Sequence, residues 1–278
     1  MIQFITVLLK RLAVLLPGFA FAYLAVTKIY PYFDKRLPLA LAIFFTYILT
    51  AYVIAPAFVR FYRILRPTKH LPLYCITPDG FASDPLNIGI IGTHKQLINA
   101  MEKAGWYVAD QHSLKNLIRQ GLSTVYGWSY NNAPVSSLYL FGRKQDVAFE
   151  IPIEGAPGSR HHVRFWGTTY SQTGPVDIHT IDWHHRREHV RDDKLLWVGA
   201  ASKDVGIGFI RHNLQITHMI DPDTNSERDM IVKQLKTAKL VKKVSSIKLG
   251  KPYKVINRVL NGSLHTDGQM DIVTLKKD

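Results

Sequence analysis

Cysteine is almost absent from the 278 residues. Cys75 stands alone, which excludes an intramolecular disulfide framework and the zinc sites that need paired thiolates. Acidic residues are scarce too, 21 against 35 Lys and Arg, for a net charge of +14. A charge of that size suggests a nucleic-acid partner, but its placement removes the suggestion. Residues 1–70 carry +8, with Asp34 as their one acidic residue; residues 71–232 carry −2; residues 233–278 carry +8. The excess sits at the two ends and leaves the middle no surplus for a phosphate backbone, so no nucleic acid is expected. Catalytic signatures are missing as well: there is no HExxH, no GxSxG elbow and no P-loop, and Cys75 has no setting that marks a nucleophile. An apolar content of 47% with 20% charged residues excludes wholesale disorder.

Two uncharged runs stand near the start. Leu12–Thr27 is shorter than the roughly 20 residues a span needs. It reaches that length if Arg11 and Lys28 snorkel and Tyr23, Tyr30 and Tyr32 settle at an interface. Leu37–Val59 spans unaided. The linker of residues 28–36 is short, so the sequence predicts a transmembrane helical hairpin with spans at 12–30 and 37–59. Pro17 and Pro56 lie near span ends, where a missing backbone donor is tolerated. Lys10, Arg11, Arg60, Arg63, Arg66 and Lys69 flank the outer ends, against Lys28, Lys35 and Arg36 in the loop, and this bias puts both termini in the cytoplasm. The rival reading is a cleavable signal with a weak site at Ala20-Phe21-Ala22, but the second span would still hold the chain in the membrane. Residues 1–70 are therefore expected to be a membrane anchor with a basic juxtamembrane segment, and residues 71–278 a cytoplasmic domain with a basic tail.

Beyond His70 the pattern changes to short apolar runs between turns. Asn87–Gly92 reads as a strand. Thr93 and Gln96 form a capping box for a helix to about Ala104, stopped by Gly105, with Ile98, Met101 and Leu97 facing inward. A second helix is predicted from Ser113 to Tyr126, with Leu114, Leu117, Ile118 and Leu122 on one face. Strands are predicted at Ser137–Phe141, Val147–Ile153, His162–Trp166, Leu195–Ala201, Ile207–Arg211 and Gln215–Ile220. A last helix runs from Ser226, as cap, to Ala238, and Leu249–Leu275 adds one or two edge strands. The fold class is α+β: the two-helix hairpin, then one domain with a mixed or antiparallel sheet and a few helices.

Four passages carry a resemblance. They are Asp84-Pro85-Leu86-Asn87 with Gly105-Trp106; Leu138–Asp146 (LYLFGRKQD); Arg160–Trp166 (RHHVRFW); and Trp197–Ala201 through Asp204, followed by Thr217–Asp221 and Glu227-Arg228-Asp229. As an ordered set over about residues 80–240 they resemble the LssY C-terminal domain family. The resemblance implies a bacterial protein of the inner membrane. Relatives of this domain often follow a DedA-type or a type-2 phosphatidic acid phosphatase membrane domain. This chain has two expected spans and none of the phosphatase motifs before residue 70, so that chemistry does not carry over.

Strand alternation sorts the polar residues by face. His161, Val163 and Phe165 fall together, opposite His162, Arg164 and Trp166. Val147, Phe149 and Ile151 oppose Asp146, Ala148 and Glu150, while Ile216, His218 and Ile220 share a face. The functional reading is one pocket on the sheet. In it, Arg143 and Arg164 bind a phosphate or carboxylate, and His162, His218, Asp146 and Asp204 supply the proton-transfer groups. The alternative is that the arginines and aspartates are internal salt bridges and that His161 and His218 are hydrogen-bonded core residues. No metal is expected, and no cofactor is identified. His184–His189, with its arginines, reads as a solvated loop, Asp221–Asn225 as a turn and helix cap, and Val205–Gly208 as a β-bulge.

Two functions follow. One is a phosphoesterase-like hydrolase acting on a phosphorylated or lipid-linked substrate at the cytoplasmic membrane face. The other is a non-catalytic module that binds an anion, a lipid headgroup or a partner. The expected partner is the lipid bilayer, including anionic headgroups. Lys236, Lys239 and Lys243, read on one helix face, would lie against it together with Arg60, Arg63 and Arg66.

Overall fold

The run Leu195–Ala201 is apolar at every position, which a strand tolerates only if both its faces are covered. The computed structural model covers them. It describes residues 19–58, 72–78, 80–111, 113–126, 130–140, 142–153, 159–168, 194–209, 216–256 and 263–276. The chain divides into two units, Met1–Arg63 and Ile64–Asp278.

In the first unit, residues 19–34 are helical and Leu39–Phe58 form a second helix. Among the described residues, Leu39–Phe58 is the one helix long and apolar enough to cross a membrane. Pro38 opens it with an extended φ/ψ and no side-chain cap. Both helices contain π-helical turns, at Ala25–Ile29 and Leu49–Ile54. Ring contacts pair them: Phe21 meets Phe58 edge-on at 4.9 Å, and Phe33 stacks on Phe45 at 5.8 Å. The start of the expected first span, and the flanking cations Lys10, Arg11, Arg60, Arg63, Arg66 and Lys69, lie outside the described residues.

The second unit is built on an eight-stranded sheet. Its strands are β3 (Ile88–Gly92), β4 (Tyr107–Val108), β7 (Val147–Pro152), β8 (Arg160–Thr168), β9 (Leu195–Phe209), β10 (Ile216–Ile220), β11 (Val241–Lys248) and β14 (Gln269–Leu275). The order is β11-β14-β3-β9-β8-β7-β4, with β10 on the far half of β9. Every pairing is antiparallel except β14 with β3, so the sheet is mixed, as expected. A smaller sheet, β2-β1-β5-β6, is made by β1 (Tyr74–Ile76), β2 (Ala82–Pro85), β5 (Tyr139–Leu140) and β6 (Arg143–Lys144), and β12 (Tyr253–Ile256) pairs with β13 (Ser263–Thr266).

Alternation now explains the two apolar clusters. Ile88 and Ile90 of β3, Phe149 of β7, Val163 and Phe165 of β8, and Trp197 of β9 pack under helices α1 (His94–Lys103) and α3 (Thr224–Thr237), with Leu97, Met101, Ile231 and Leu235. The intervening residues Trp166, Leu196, Val198 and Ala200 pack on the other side with Cys75, Leu138 and Leu140 of the small-sheet region. Helices therefore lie on one face and the small sheet on the other. Gly199 makes room for its cross-strand neighbours within the sheet: a Cβ there would come within 2.6 Å of the Phe165 ring and 2.8 Å of Ile88.

Helix α1 has the predicted capping box, Thr93 Oγ1 accepting from Gln96 N at 3.1 Å and Gln96 Oε1 accepting from Thr93 N at 3.0 Å. Gly105, at φ 91°, ends it, and Trp106 N donates to Met101 O, the Schellman pattern. Helix α2 (Leu114–Tyr126) matches its prediction in extent.

Four expectations need correction. Helix α3 starts at Thr224 with Asp223 as its cap, not at Ser226, because the Asp223 carboxylate accepts from Asn225 N. Leu195–Ala201 and the start of Ile207–Arg211 belong to one strand, β9, which continues through Ser202–Gly206; the register shift opposite Gly206 is the expected bulge. Strand β14 is internal, not an edge: it lies between β11 and β3 and is buried on both faces. Finally, Lys236, Lys239 and Lys243 do not share a helix face. Helix α3 ends at Thr237, Lys239 takes φ 59° in a second Schellman turn, with Leu240 N donating to Leu235 O, and Lys243 sits on edge strand β11.

Candidate functional site

Strand register brings charges together where the sheet has its second face. On β8, Arg160, His162 and Arg164 alternate onto one side. Across from them stand Asp204, Ser202 and Ala200 on β9, and Pro152, Glu150 and Ala148 on β7. Asp84 joins them from β2 of the small sheet. Asp84, Glu150, Arg160, His162, Arg164, Ser202 and Asp204 are all buried, none more than 6% exposed.

Each arginine is held on several sides. Arg164 Nη1 donates to Asp84 Oδ2 at 2.7 Å and its Nε to Ser136 O at 3.0 Å. Arg160 Nη1 donates to Glu150 Oε2 at 2.6 Å, Nε to Asp204 Oδ2 at 3.1 Å, and further donors reach Ala133 O and Pro134 O. The Ala133–Ser136 backbone thus supplies carbonyls to both guanidiniums. Burial alone would raise the Asp84 carboxyl, yet the Arg164 guanidinium and His162 outweigh it and hold Asp84 below the usual carboxylate range. Glu150 shows the opposite balance: burial prevails over Arg160 and pushes its carboxyl up to about 7.

His162 lies at the centre. Its Nε2 is 3.4 Å from Asp84 Oδ2 and 3.3 Å from Ser202 Oγ, and its Nδ1 is 3.5 Å from Asp204 Oδ2. Ser202, His162 and Asp204 therefore follow one another in the order of a nucleophile, base and carboxylate, but no hydrogen bond to Asp204 orients the ring at Nδ1. Ser202, however, has no exposed surface, so a substrate could reach it only if the cover moved. His218, on β10, is the member nearest solvent, with 30% of its side chain exposed and Nδ1 3.9 Å from Asp204 Oδ2. Burial lowers its basicity, with Asp204 partly offsetting the effect. Three polar atoms here make no hydrogen bond: Glu150 Oε1, His162 Nδ1 and His218 Nδ1. Among the described residues no group of three or more His, Cys, Asp or Glu is arranged to hold a metal ion.

Of the six residues expected in one pocket, the structure brings together His162, Arg164, Asp204 and His218. Arg143 and Asp146 are placed differently. They bond to each other at 2.5 Å and clamp the Gly167 peptide, Arg143 Nη2 donating to its carbonyl and Asp146 Oδ2 accepting from its amide at 2.7 Å. That is the internal salt bridge of the alternative reading. His161 lies on the opposite face as expected, its Nδ1 2.9 Å from Glu227 Oε2 on α3. The His184–His189 cluster lies outside the described residues. Asp84 and Arg160 stand in the passages that carry the resemblance but receive no site role from the sequence; Ser202 receives none either, and Glu150 receives a face but no role. The signal for Arg160 was its period-two spacing with His162 and Arg164. Asp84 had no local signal, because its partners are 78 and 80 residues away.

No curated protein and no protein of solved structure gives a significant match to the chain. Residues 68–270 match the family model described as LssY C-terminus, a longer stretch than the quoted passages and one that runs from before β1 into β14. The resemblance first seen in those passages thus holds for most of the chain, which belongs to the LssY C-terminus family.

Proposed function

We propose that this protein is a membrane-tethered, non-catalytic module that works by binding at the bilayer surface. One observation carries the reading: both arginines of the polar centre are already engaged by buried carboxylates and backbone carbonyls, partners that a phosphate would have to compete with. The reading includes two spans, at 12–30 and 37–59, with the domain on the cytoplasmic side of a bacterial inner membrane. The Leu39–Phe58 helix and the cation bias at the outer ends of the two runs support this.

A second reading is favoured by His218. It is half-buried, its basicity is lowered, and it lies beside Asp204, which Arg160 holds in place. A histidine of lowered basicity beside a carboxylate suits a general base, and so a phosphoesterase-like hydrolase. The test uses full-length protein in nanodiscs, assayed for phosphate release from phosphatidic acid and from p-nitrophenyl phosphate, beside His218→Ala. The expected result is no release beyond that of the variant. Release that His218→Ala and Asp204→Asn both abolish, with unfolding unchanged, overturns the first reading in favour of the second.

A further inference from the structure

Helix α2 is amphipathic the wrong way round for a helix that serves only to cover a core. Leu114, Ile118 and Leu122 recur every fourth residue and so fall on one stripe. That stripe faces out: Leu114 is 75% exposed, Ile118 54% and Leu122 42%. Tyr126, one further step along it, is 71% exposed. Ser123, on the opposite side, is buried, and Asn116 and Gln120 are half-buried. Among the described residues, a Cβ at Gly121 would meet nothing within 4 Å, which leaves open space beside the exposed sector. Among the side chains described, which do not include Leu117, Thr124 and Val125, the helix turns Asn116, Gln120 and Ser123 to the domain and Leu114, Ile118, Leu122 and Tyr126 to the surroundings.

The charges around the stripe select what covers it. Leu114–Tyr126 contains no Asp or Glu, and its two cations, Lys115 and Arg119, are both exposed beside the apolar residues. Arg119 also lies over the Tyr130 ring at 4.2 Å, which ties the helix to the domain. Apolar residues flanked by cations without anions match the acyl–headgroup boundary of an anionic leaflet. A bilayer is within reach. The Leu39–Phe58 helix is long and apolar enough to cross one, and the domain follows it in the same chain.

We propose that α2 is an interfacial helix: Leu114, Ile118 and Leu122 enter the acyl region of the bilayer that holds the anchor, and Lys115 and Arg119 meet anionic headgroups. This deepens the binding-module reading and rests on it. It also replaces the lysine face expected near the C-terminus. Lys242, Lys243 and Lys248 are exposed on edge strand β11, where cations serve to block pairing with another sheet.

The test is site-directed fluorescence on the full-length protein in nanodiscs of neutral or anionic lipid, with and without brominated acyl chains as contact quenchers. Ile118→Cys, Leu122→Cys and, as control, Ser245→Cys on β11 each take an NBD label. Cys75 does not compete, because it is fully buried and its thiol is pushed well up by burial. The expected result is blue-shifted emission at 118 and 122, quenched by brominated chains and stronger in anionic lipid, with the label at 245 unaffected. Lys115→Glu should weaken the quenching. Blue-shifted but unquenched emission at 118 and 122 means that protein covers the stripe, a second copy or a partner, and overturns the proposal. Quenching at 245 instead of 118 and 122 also overturns it, while the binding-module reading survives through the β11 edge. Solvent-like emission at all three sites in both lipids defeats both.

Discussion

Asp84 and Arg164 form a nearly dry ion pair between the two sheets, and its energetics can be read by a double-mutant cycle. Asp84 is 1% exposed and Arg164 5%. Asp84→Ala removes the 2.7 Å bond to Nη1 and leaves a buried cation that still donates to the Ser136 carbonyl through Nε. Breaking one side of such a pair costs about 3–5 kcal/mol, whereas replacing both partners with apolar groups is often neutral. Arg164→Met should cost a similar amount, and Asp84→Ala/Arg164→Met should recover most of the loss. For a domain of this size each kcal/mol moves Tm by about 2–4 °C, so the single variants should melt roughly 6–20 °C lower. Tryptophan emission is the natural assay, since Trp106, Trp166 and Trp197 are buried and residues 1–70 contain no tryptophan. The pH dependence follows from Asp84. Its carboxyl is held below the usual range in the fold, so its stabilisation is complete above the unfolded pKa of about 4 and is lost as pH falls through the native value. The double variant should lack that acid-sensitive part. Additive single effects, or a loss below about 1 kcal/mol for Asp84→Ala, would refute the buried-pair reasoning.

Two further outcomes are expected. Glu150, raised to about 7 by burial, gives a contribution that is full below its unfolded pKa and lost as pH rises through 7; the stability difference between the native protein and Glu150→Gln should therefore shift between pH 5 and 8, and a difference flat over that range counts against the assignment. Lys239→Gly should raise stability by about 1 kcal/mol, because Lys239 holds φ 59° at a helix end where glycine carries no Cβ penalty; thermal melts of the two proteins read this directly.

The faces of β8 were legible because period two is a geometric fact: Val163 and Phe165 had to oppose His162, Arg164 and Trp166. That the polar face is also buried was not legible, since its cover comes from Asp84 and from carbonyls of residues 133–136, distant in sequence and ordinary in composition. The chemical complementarity of Arg143 and Asp146 is legible in the sequence, but not which of the two readings, pocket or internal salt bridge, it serves; the pair forms the salt bridge. Alternation gives a side of the sheet, not a position along it, and Gly167 claims them. The capping box and glycine stop made α1 readable to within a residue. At the end of α3 the Schellman position holds lysine instead of glycine, so the lysine run looked like more helix. Periodicity identified the apolar stripe of α2 but carries no sign: the same spacing serves a core-facing helix and an outward-facing one.

The polar centre and α2 break the same rule in opposite senses, charge inside and apolar surface outside, and local rules broken in this way tend to mark function. They differ in what is left over. In the centre the arginine donors named above end on Asp84, Glu150, Asp204 and backbone carbonyls, and the unbonded atoms that remain belong to Glu150, His162 and His218. An anion drawn to those arginine donors would have to displace an internal carboxylate or carbonyl and incur the cost of an unpaired buried charge. On α2 nothing has to be displaced. Its apolar residues already stand in the surroundings, where transfer from water into an apolar phase is favourable in proportion to their area. The feature whose free energy is still to be gained is the helix, and for that reason the proposed binding falls at the surface of this domain in preference to its interior.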